Sequence, residues 1–239
     1  NTSEIMNFLK EIVDFLSPRF CVSCNSKLSS ANNFICSQCF SKISKLTEDE
    51  IKTEFVRKFA STKFVDDYTS LFKFEEDGPL QDLIHQLKYN SKFKFGTFLG
   101  ALIADERKET IQSWNADLIL PIPLFHLKKI ERGYNQADYI TKGISKKLKI
   151  EYSTSIGKRI KNTVSQTTLN SSQRKANMEN AFKIKGVKFV EGKNIIIVDD
   201  VITTGTTVLE LGKILKENGA AKVYSLSVAT PLISHAVRC

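Results

Sequence analysis

Residues 195–207 read Ile-Ile-Ile-Val-Asp-Asp-Val-Ile-Thr-Thr-Gly-Thr-Thr. No other stretch limits the fold as tightly. A continuous apolar run of strand length belongs to a strand covered on both faces, as in a parallel sheet. Two acids, a hydroxyl-rich loop with one glycine and a helix from about Thr206 to Glu217 then follow. In open α/β sheets, ligands bind beyond the carboxyl ends of the strands. A helix N-terminus offers free N–H groups and a positive dipole end to a phosphate. Gly205 lets the backbone approach closely, and Thr203, Thr204, Thr206 and Thr207 add hydroxyl donors. Asp199 and Asp200 would repel a phosphate beside them, but they suit the neutral hydroxyls of an attached sugar. The whole string fits a ribose 5-phosphate. An acidic turn that merely caps a helix needs one acid or one Ser/Thr, not this series.

The rest of the chain supports an α/β fold with a parallel sheet. Strands are expected near residues 71–74, at Asp117–Pro123, Asn194–Val198 and Lys222–Ala229. Helices are expected at residues 4–17, Leu80–Tyr89, Phe98–Glu109, Tyr134–Leu148 and Thr206–Glu217, with Gly219 as a stop. Strands alternating with helices argue for parallel pairing. Ser41–Lys63 reads as a polar link, and Pro123–Gly133 as a loop. Segment 158–182 is polar, rich in Ser, Thr, Asn and Gln, and without a core pattern. A stretch of that length is either disordered or a functional lid. Trp114 is expected to pack and His85 to be structural; His126 is a minor ligand candidate.

Four of the five cysteines lie in two Cys-x2-Cys pairs, Cys21/Cys24 and Cys36/Cys39. Each tight turn aims two sulfurs at one point, and two such turns close a tetrahedron around zinc. Four ligands leave no open position, so the zinc is expected to be structural. Metal binding would supply the folding energy of so short a segment. Two disulfides are the alternative, but nothing marks the chain as secreted. The expected division is 1–45, a helix and zinc module, and 46–239, the α/β domain.

The net charge of +9 is localised. His126–Lys149 carries seven Lys/Arg against two acids, and Lys158–Lys193 nine against two. Two basic segments therefore sit on a slightly acidic body. A focused positive field draws phosphates, on a small substrate or on a nucleic acid. Lys142, Lys146, Lys147 and Lys149 read equally well as solvated surface. No apolar run reaches the roughly 20 residues of a membrane helix, and the first residues are too charged for a signal-peptide core. A cytoplasmic protein without membrane insertion is expected.

Val198-Asp-Asp-Val-Ile-Thr-Thr-Gly-Thr-Thr207 resembles the phosphoribosyl pyrophosphate (PRPP) motif of type I phosphoribosyltransferases. The resemblance implies that Asp199 and Asp200 hold the ribose hydroxyls, and that Val201, Ile202, Thr203, Thr204, Gly205, Thr206 and Thr207 complete the PRPP site. Other segments resemble the ComF competence-protein branch: Leu87-Lys-Tyr89, Pro121-Ile-Pro-Leu124, Glu131-Arg-Gly-Tyr-Asn-Gln-Ala137, and the series Gln166, Leu169, Arg174, Asn177, Ala181 and Phe182, behind a four-cysteine knuckle. That branch commonly has Phe where this chain has Tyr134. In such proteins the loop carrying Lys128, Lys129 and Arg132 would contact pyrophosphate, with magnesium bound alongside PRPP. Arg174 is the implied lid cation and, with Asp199 and Asp200, a catalytic candidate. The implied role is in natural transformation and DNA uptake, with DNA-uptake proteins as partners. Whether the chain turns PRPP over stays open. The other reading is a single-stranded DNA-binding module whose PRPP site is a sensor or phosphate grip. Phe20, Phe34 and Phe40 could stack on bases, or they could cover the zinc knuckles.

Overall fold

The structure, a computed structural model, describes residues 19–28, 34–89, 93–161 and 180–232. The helix expected at 4–17, Gln166, Arg174, Asn177 and Cys239 lie outside these residues.

The helices are α1 (Ser37–Ser41), α2 (Glu48–Lys58), α3 (Pro79–Tyr89), α4 (Phe93–Glu106), α5 (Lys108–Ser113), α6 (His126–Arg132), α7 (Gln136–Leu148) and α8 (Thr206–Glu217). The strands are β1 (Asp67–Lys73), β2 (Leu118–Pro121), β3 (Glu151–Tyr152), β4 (Gly157–Arg159), β5 (Phe182–Ile184), β6 (Asn194–Val201) and β7 (Lys222–Thr230). Five strands form a parallel sheet in the order β1-β7-β6-β2-β3. β4 and β5 pair antiparallel in a separate ribbon.

The apolar run in β6 serves two cores at once. Side chains alternate across a strand, so Ile196 and Val198 join Leu83, Leu87, Leu99 and Ile140 on one face. Ile195 and Ile197 join Phe59, Leu118, Leu211 and Val223 on the other. All four residues are fully buried. On the first face, α4 and α7 cross at close range. A Cβ on Gly100 would stand 2.0 Å from the Ile140 carbonyl oxygen, and one on Gly143 2.2 Å from that of Thr97.

Several expectations need correction. Ser41–Lys63 is not a polar link, because it contains α2. Thr47 and Glu50 cap that helix reciprocally, each side chain bonding the other's backbone N–H. Its polar sequence buries only Ile51, Glu54 and Lys58, too few apolar positions to show a helical period. Residues 123–133 are not all loop either: 126–132 form α6, which has no buried residue and ends at Gly133, φ 77°. The ends of segment 158–182 are strand, with Ala181 and Phe182 buried. The helix expected to begin at Phe98 begins at Phe93 and breaks near Arg107, giving α4 and α5. Trp114 does pack: it stacks on Tyr224 at 4.8 Å and donates a hydrogen bond to Asp67 at 2.8 Å. His85 is exposed on α3.

Candidate functional site

The β6–α8 turn opens into a cleft of about 180 Å³ at the carboxyl end of the sheet. Residues 203–207 line it, as do Asp199, Asp200, Val201 and Ile202. Gly205 precedes α8 with φ 79°, a left-handed conformation that a residue with a Cβ adopts only at a cost. That Cβ would also stand 2.7 Å from Cε1 of the buried Phe59. Gly205 brings no capping side chain to α8, the Thr204 hydroxyl accepts from Thr206 N at 3.5 Å, and the first residues of the helix line the cleft. The Thr204 and Thr206 hydroxyls are 2.9 Å apart.

Beneath the turn lies a buried ion pair from α2. Lys58 Nζ lies 2.9 Å from Glu54 Oε2 and donates to the Ile202 carbonyl at 2.9 Å and to the Thr230 hydroxyl. Burial draws the Lys58 ammonium down to about 8, against the opposing pull of Glu54. The ion pair ties α2 to the strand ends that hold the turn.

Asp199 and Asp200 belong to β6 itself, whose ladder with β7 continues to Val201. Asp200 is buried, and Lys88 Nζ on α3 lies 2.9 Å from its Oδ2. Burial alone would raise the Asp200 carboxyl, but Lys88 outweighs it and holds the group below the usual range. Asp199 has the opposite fate: burial, then the charge of Asp200, push it well above the usual range. The pair therefore presents one firmly ionised carboxylate beside one that readily keeps a proton, a pattern seen where acids are set close at functional sites.

The cleft is otherwise cationic. Lys88, Lys128, Arg132 and Arg159 line it with Gln136. Arg132 donates to Gln136 Oε1 at 3.1 Å. Burial and the neighbouring Arg159 and Arg132 lower Lys128. Of the three cations expected to act together after β2, Lys128 and Arg132 face this cleft and Lys129 does not. α6 turns Lys129 away, with its Nζ 3.9 Å from Asp138 Oδ2, and it lines a second cleft with His126. A helix in place of a loop divides consecutive lysines between two surfaces. Sequence reasoning missed Lys88 and the part played by Arg159. The trio at 87–89 singled out Lys88 without a role, and Arg159 looked like one more charge in a polar segment.

At the other end of the chain, the Cys21, Cys24, Cys36 and Cys39 thiols all lie within 4.8 Å of one another, and none forms a disulfide. The Cys24 and Cys36 sulfurs are 3.7 Å apart. Metal–sulfur bonds of about 2.3 Å in a tetrahedron separate sulfurs by about 3.8 Å, so the cluster can hold a metal ion. The backbone N–H of Cys36 donates to Cys21 Sγ and that of Cys39 to Cys36 Sγ, both at 3.4 Å. Phe34 packs on Phe95 and Phe98, and Phe40 packs edge-on to Phe72. Both rings are half-buried and pack within the fold. Phe20 is 48% exposed.

A parallel sheet with an acid pair and a helix N-terminus at the end of its central strand defines a phosphoribosyltransferase-type domain. The Phosphoribosyl transferase domain family matches residues 137–235. The chain belongs to the competence protein F (ComF) family. It is 34% identical over 155 residues to competence protein F of Haemophilus influenzae (strain ATCC 51907 / DSM 11121 / KW20 / Rd), covering 63% of this chain and 68% of that protein. It is 35% identical over 148 residues to DNA utilization protein YhgH of Escherichia coli (strain K12), covering 61% and 64%. The chain thus spans about two thirds of each relative's length. Among solved structures, the glutamine PRPP amidotransferase from B. subtilis is similar at 19% identity, with a TM-score of 0.41 over 59% of this chain and 30% of that one. Among the described residues, no helix is long and apolar enough to cross a membrane.

Proposed function

We propose that the chain binds PRPP in the β6–α8 cleft and serves in the cytoplasmic handling of DNA taken up in natural transformation. One observation carries the reading: an acid pair, Asp200 buried and Asp199 half-buried, and the N-terminus of a helix share a cleft with four cations. Thr203–Thr207 cradle the 5′-phosphate, with the amides of α8 as donors. Asp199 and Asp200 accept from the ribose hydroxyls. Lys128, Arg132 and Arg159 face the pyrophosphate, where each charge-assisted hydrogen bond is worth about 1.5–3 kcal/mol. Lys129 is dropped from that set because it lines the other cleft. Arg174 keeps the role of lid cation as part of the proposal.

The carboxylate oxygens fit a hard cation, and magnesium, when bound with PRPP, would neutralise its phosphate oxygens. For the four-thiol cluster the proposed ion is zinc, in a structural role, since all four positions are protein sulfur. In this reading residues 1–45 carry the metal module and residues 46–239 the PRPP domain.

If the chain is an enzyme, a nucleophile displaces pyrophosphate from the sugar carbon. The residues contribute position and charge. The second reading, a single-stranded DNA-binding module with PRPP as signal or grip, rests on the basic segments. Pyrophosphate release from PRPP, with nucleobases or with single-stranded DNA, separates the two.

The PRPP assignment itself is tested by calorimetry with magnesium present. Asp199→Asn with Asp200→Asn should weaken PRPP binding at least about tenfold, the loss of roughly 1.4 kcal/mol. Unchanged affinity in the folded double variant contradicts the ribose assignment.

A further inference from the structure

A second cleft of about 550 Å³ lies beyond α6, sharing Leu124 and Arg159 with the first. Its volume is that of small-molecule sites. Pro123 and Phe125 give it flat apolar wall, and the His126 ring lies 4.2 Å from that of Phe125. Lys129 and Lys158 add positive charge. The one carboxylate among these is Asp138, fixed from behind by Asn135, whose Nδ2 donates to Asp138 Oδ1 at 2.8 Å. Asn135 is itself held: it is buried, donates to the Ile122 carbonyl at 3.0 Å and accepts from Ala137 N. Burial pushes the Asp138 carboxyl up to about 6, opposed by Lys129 and Asn135, so at neutral pH it is mostly ionised and accepts hydrogen bonds.

This combination selects among ligands. An inorganic anion would meet the lysines but also the Asp138 carboxylate, which repels it. A neutral sugar would leave the lysines unused. A peptide carboxylate has the same fault as an inorganic anion. The cleft instead suits a molecule with a flat ring, an edge of N–H donors and a separate anionic group. We propose that this cleft binds a nucleotide, with the base against Phe125 and His126, its N–H edge on Asp138 and its phosphate toward Lys158. Guanine, whose N1–H and N2–H lie side by side, matches a carboxylate best. The nucleotide can be free or part of a single strand, and the chemistry of the cleft is the same for both.

The test uses the whole chain and calorimetry with 2′-deoxyguanosine 5′-monophosphate, thymidine 5′-monophosphate and inorganic phosphate, the two nucleotides sharing one sugar. 2′-Deoxyguanosine 5′-monophosphate should bind about tenfold more tightly than thymidine 5′-monophosphate, in the range of one well-matched base contact. Inorganic phosphate should not compete at equal concentration. Asp138→Asn should erase the preference, with circular dichroism unchanged and PRPP affinity within about twofold. Lys158→Ala, an exposed site, should weaken both nucleotides alike. A dodecamer of single-stranded DNA containing one guanine, against one of thymine alone, identifies the source. Tighter binding of the guanine strand than of the free nucleotide indicates a strand, and the reverse indicates a free nucleotide. Equal affinities for the two monophosphates, absence of binding by either, or an unaltered preference in folded Asp138→Asn would overturn the proposal. If PRPP does not bind the wild-type chain but 2′-deoxyguanosine 5′-monophosphate binds with a preference that Asp138→Asn erases, the PRPP reading fails and this one stands.

Discussion

Asp199 and Asp200 are neighbours in the chain, and their carboxyls are shifted in opposite directions. The sequence shows two acids at a strand end, and that much was enough to suggest sugar hydroxyls. It does not show that Lys88, on a helix more than a hundred residues earlier, lies 2.9 Å from Asp200. Nor does it show that the pair sits inside the ladder. Only the packing of α3 on the sheet separates the two carboxyls. The asymmetry has a consequence for stability. Asp199 is raised above its ordinary 3.8, so the folded state keeps a proton there that the unfolded chain gives up. Between that ordinary value and the raised folded one, the folded state binds more protons, and stability falls as pH rises. Asp199→Asn removes this penalty. Its thermal midpoint should exceed that of the wild type at pH 8 and by less at pH 5, each kcal/mol being worth about 2–4 °C in a chain of this size. Differential scanning fluorimetry at the two pH values checks it. An equal or lower midpoint at pH 8 would show that Asp199 is not strained by its neighbours. Gain of stability with loss of a ligand contact is the usual trade at a binding site.

Among the elements, β6 and α8 were legible because their residues act locally. An unbroken apolar run, a glycine and a row of hydroxyls each carry their reason within a few positions. The boundaries of α8 were also readable, since Gly219 at φ 86° ends the turn that follows it. α2 was not legible. It is polar, and its importance lies in what it touches across the fold. Phe59, the residue after its last turn, lies against Gly205, and Lys58 reaches under Ile202. α6 was missed for a similar reason: with no buried residue, it has no apolar period to read. Gly205→Ala tests the link between α2 and the β6–α8 turn. The left-handed backbone costs about 1–2 kcal/mol with a Cβ present, and the contact with Phe59 adds to it. The variant should unfold at lower temperature and bind PRPP several-fold more weakly. A midpoint within about 1 °C of wild type, roughly 0.5 kcal/mol or less, would show that the turn relaxes freely.

For the whole molecule, the cysteine cluster and the sheet share one core. Cys21, Leu28, Ile35 and Cys39 are buried with Leu83, Phe95 and Leu99. The knuckle spacing alone announced a metal site, but the docking of that site on α3 and α4 depends on rings such as Phe34, whose packing partners on α4 the sequence does not show. Cys21→Ser should abolish bound zinc, measured by elemental analysis, and lower the thermal midpoint by several degrees. PRPP affinity should stay within about threefold, because Ile202 and the first turn of α8 at Val208 pack in the other core. Zinc at one per chain in the variant would refute the four-thiol assignment. The central claim is that the turn after β6 grips a ribose 5-phosphate. Its most direct test is a crystal of the whole chain soaked with PRPP and Mg²⁺. The expected density places the 5′-phosphate on the backbone N–H groups of 203–207 and the ribose hydroxyls on Asp199 and Asp200. A PRPP molecule found elsewhere, with the turn after β6 empty, would contradict it.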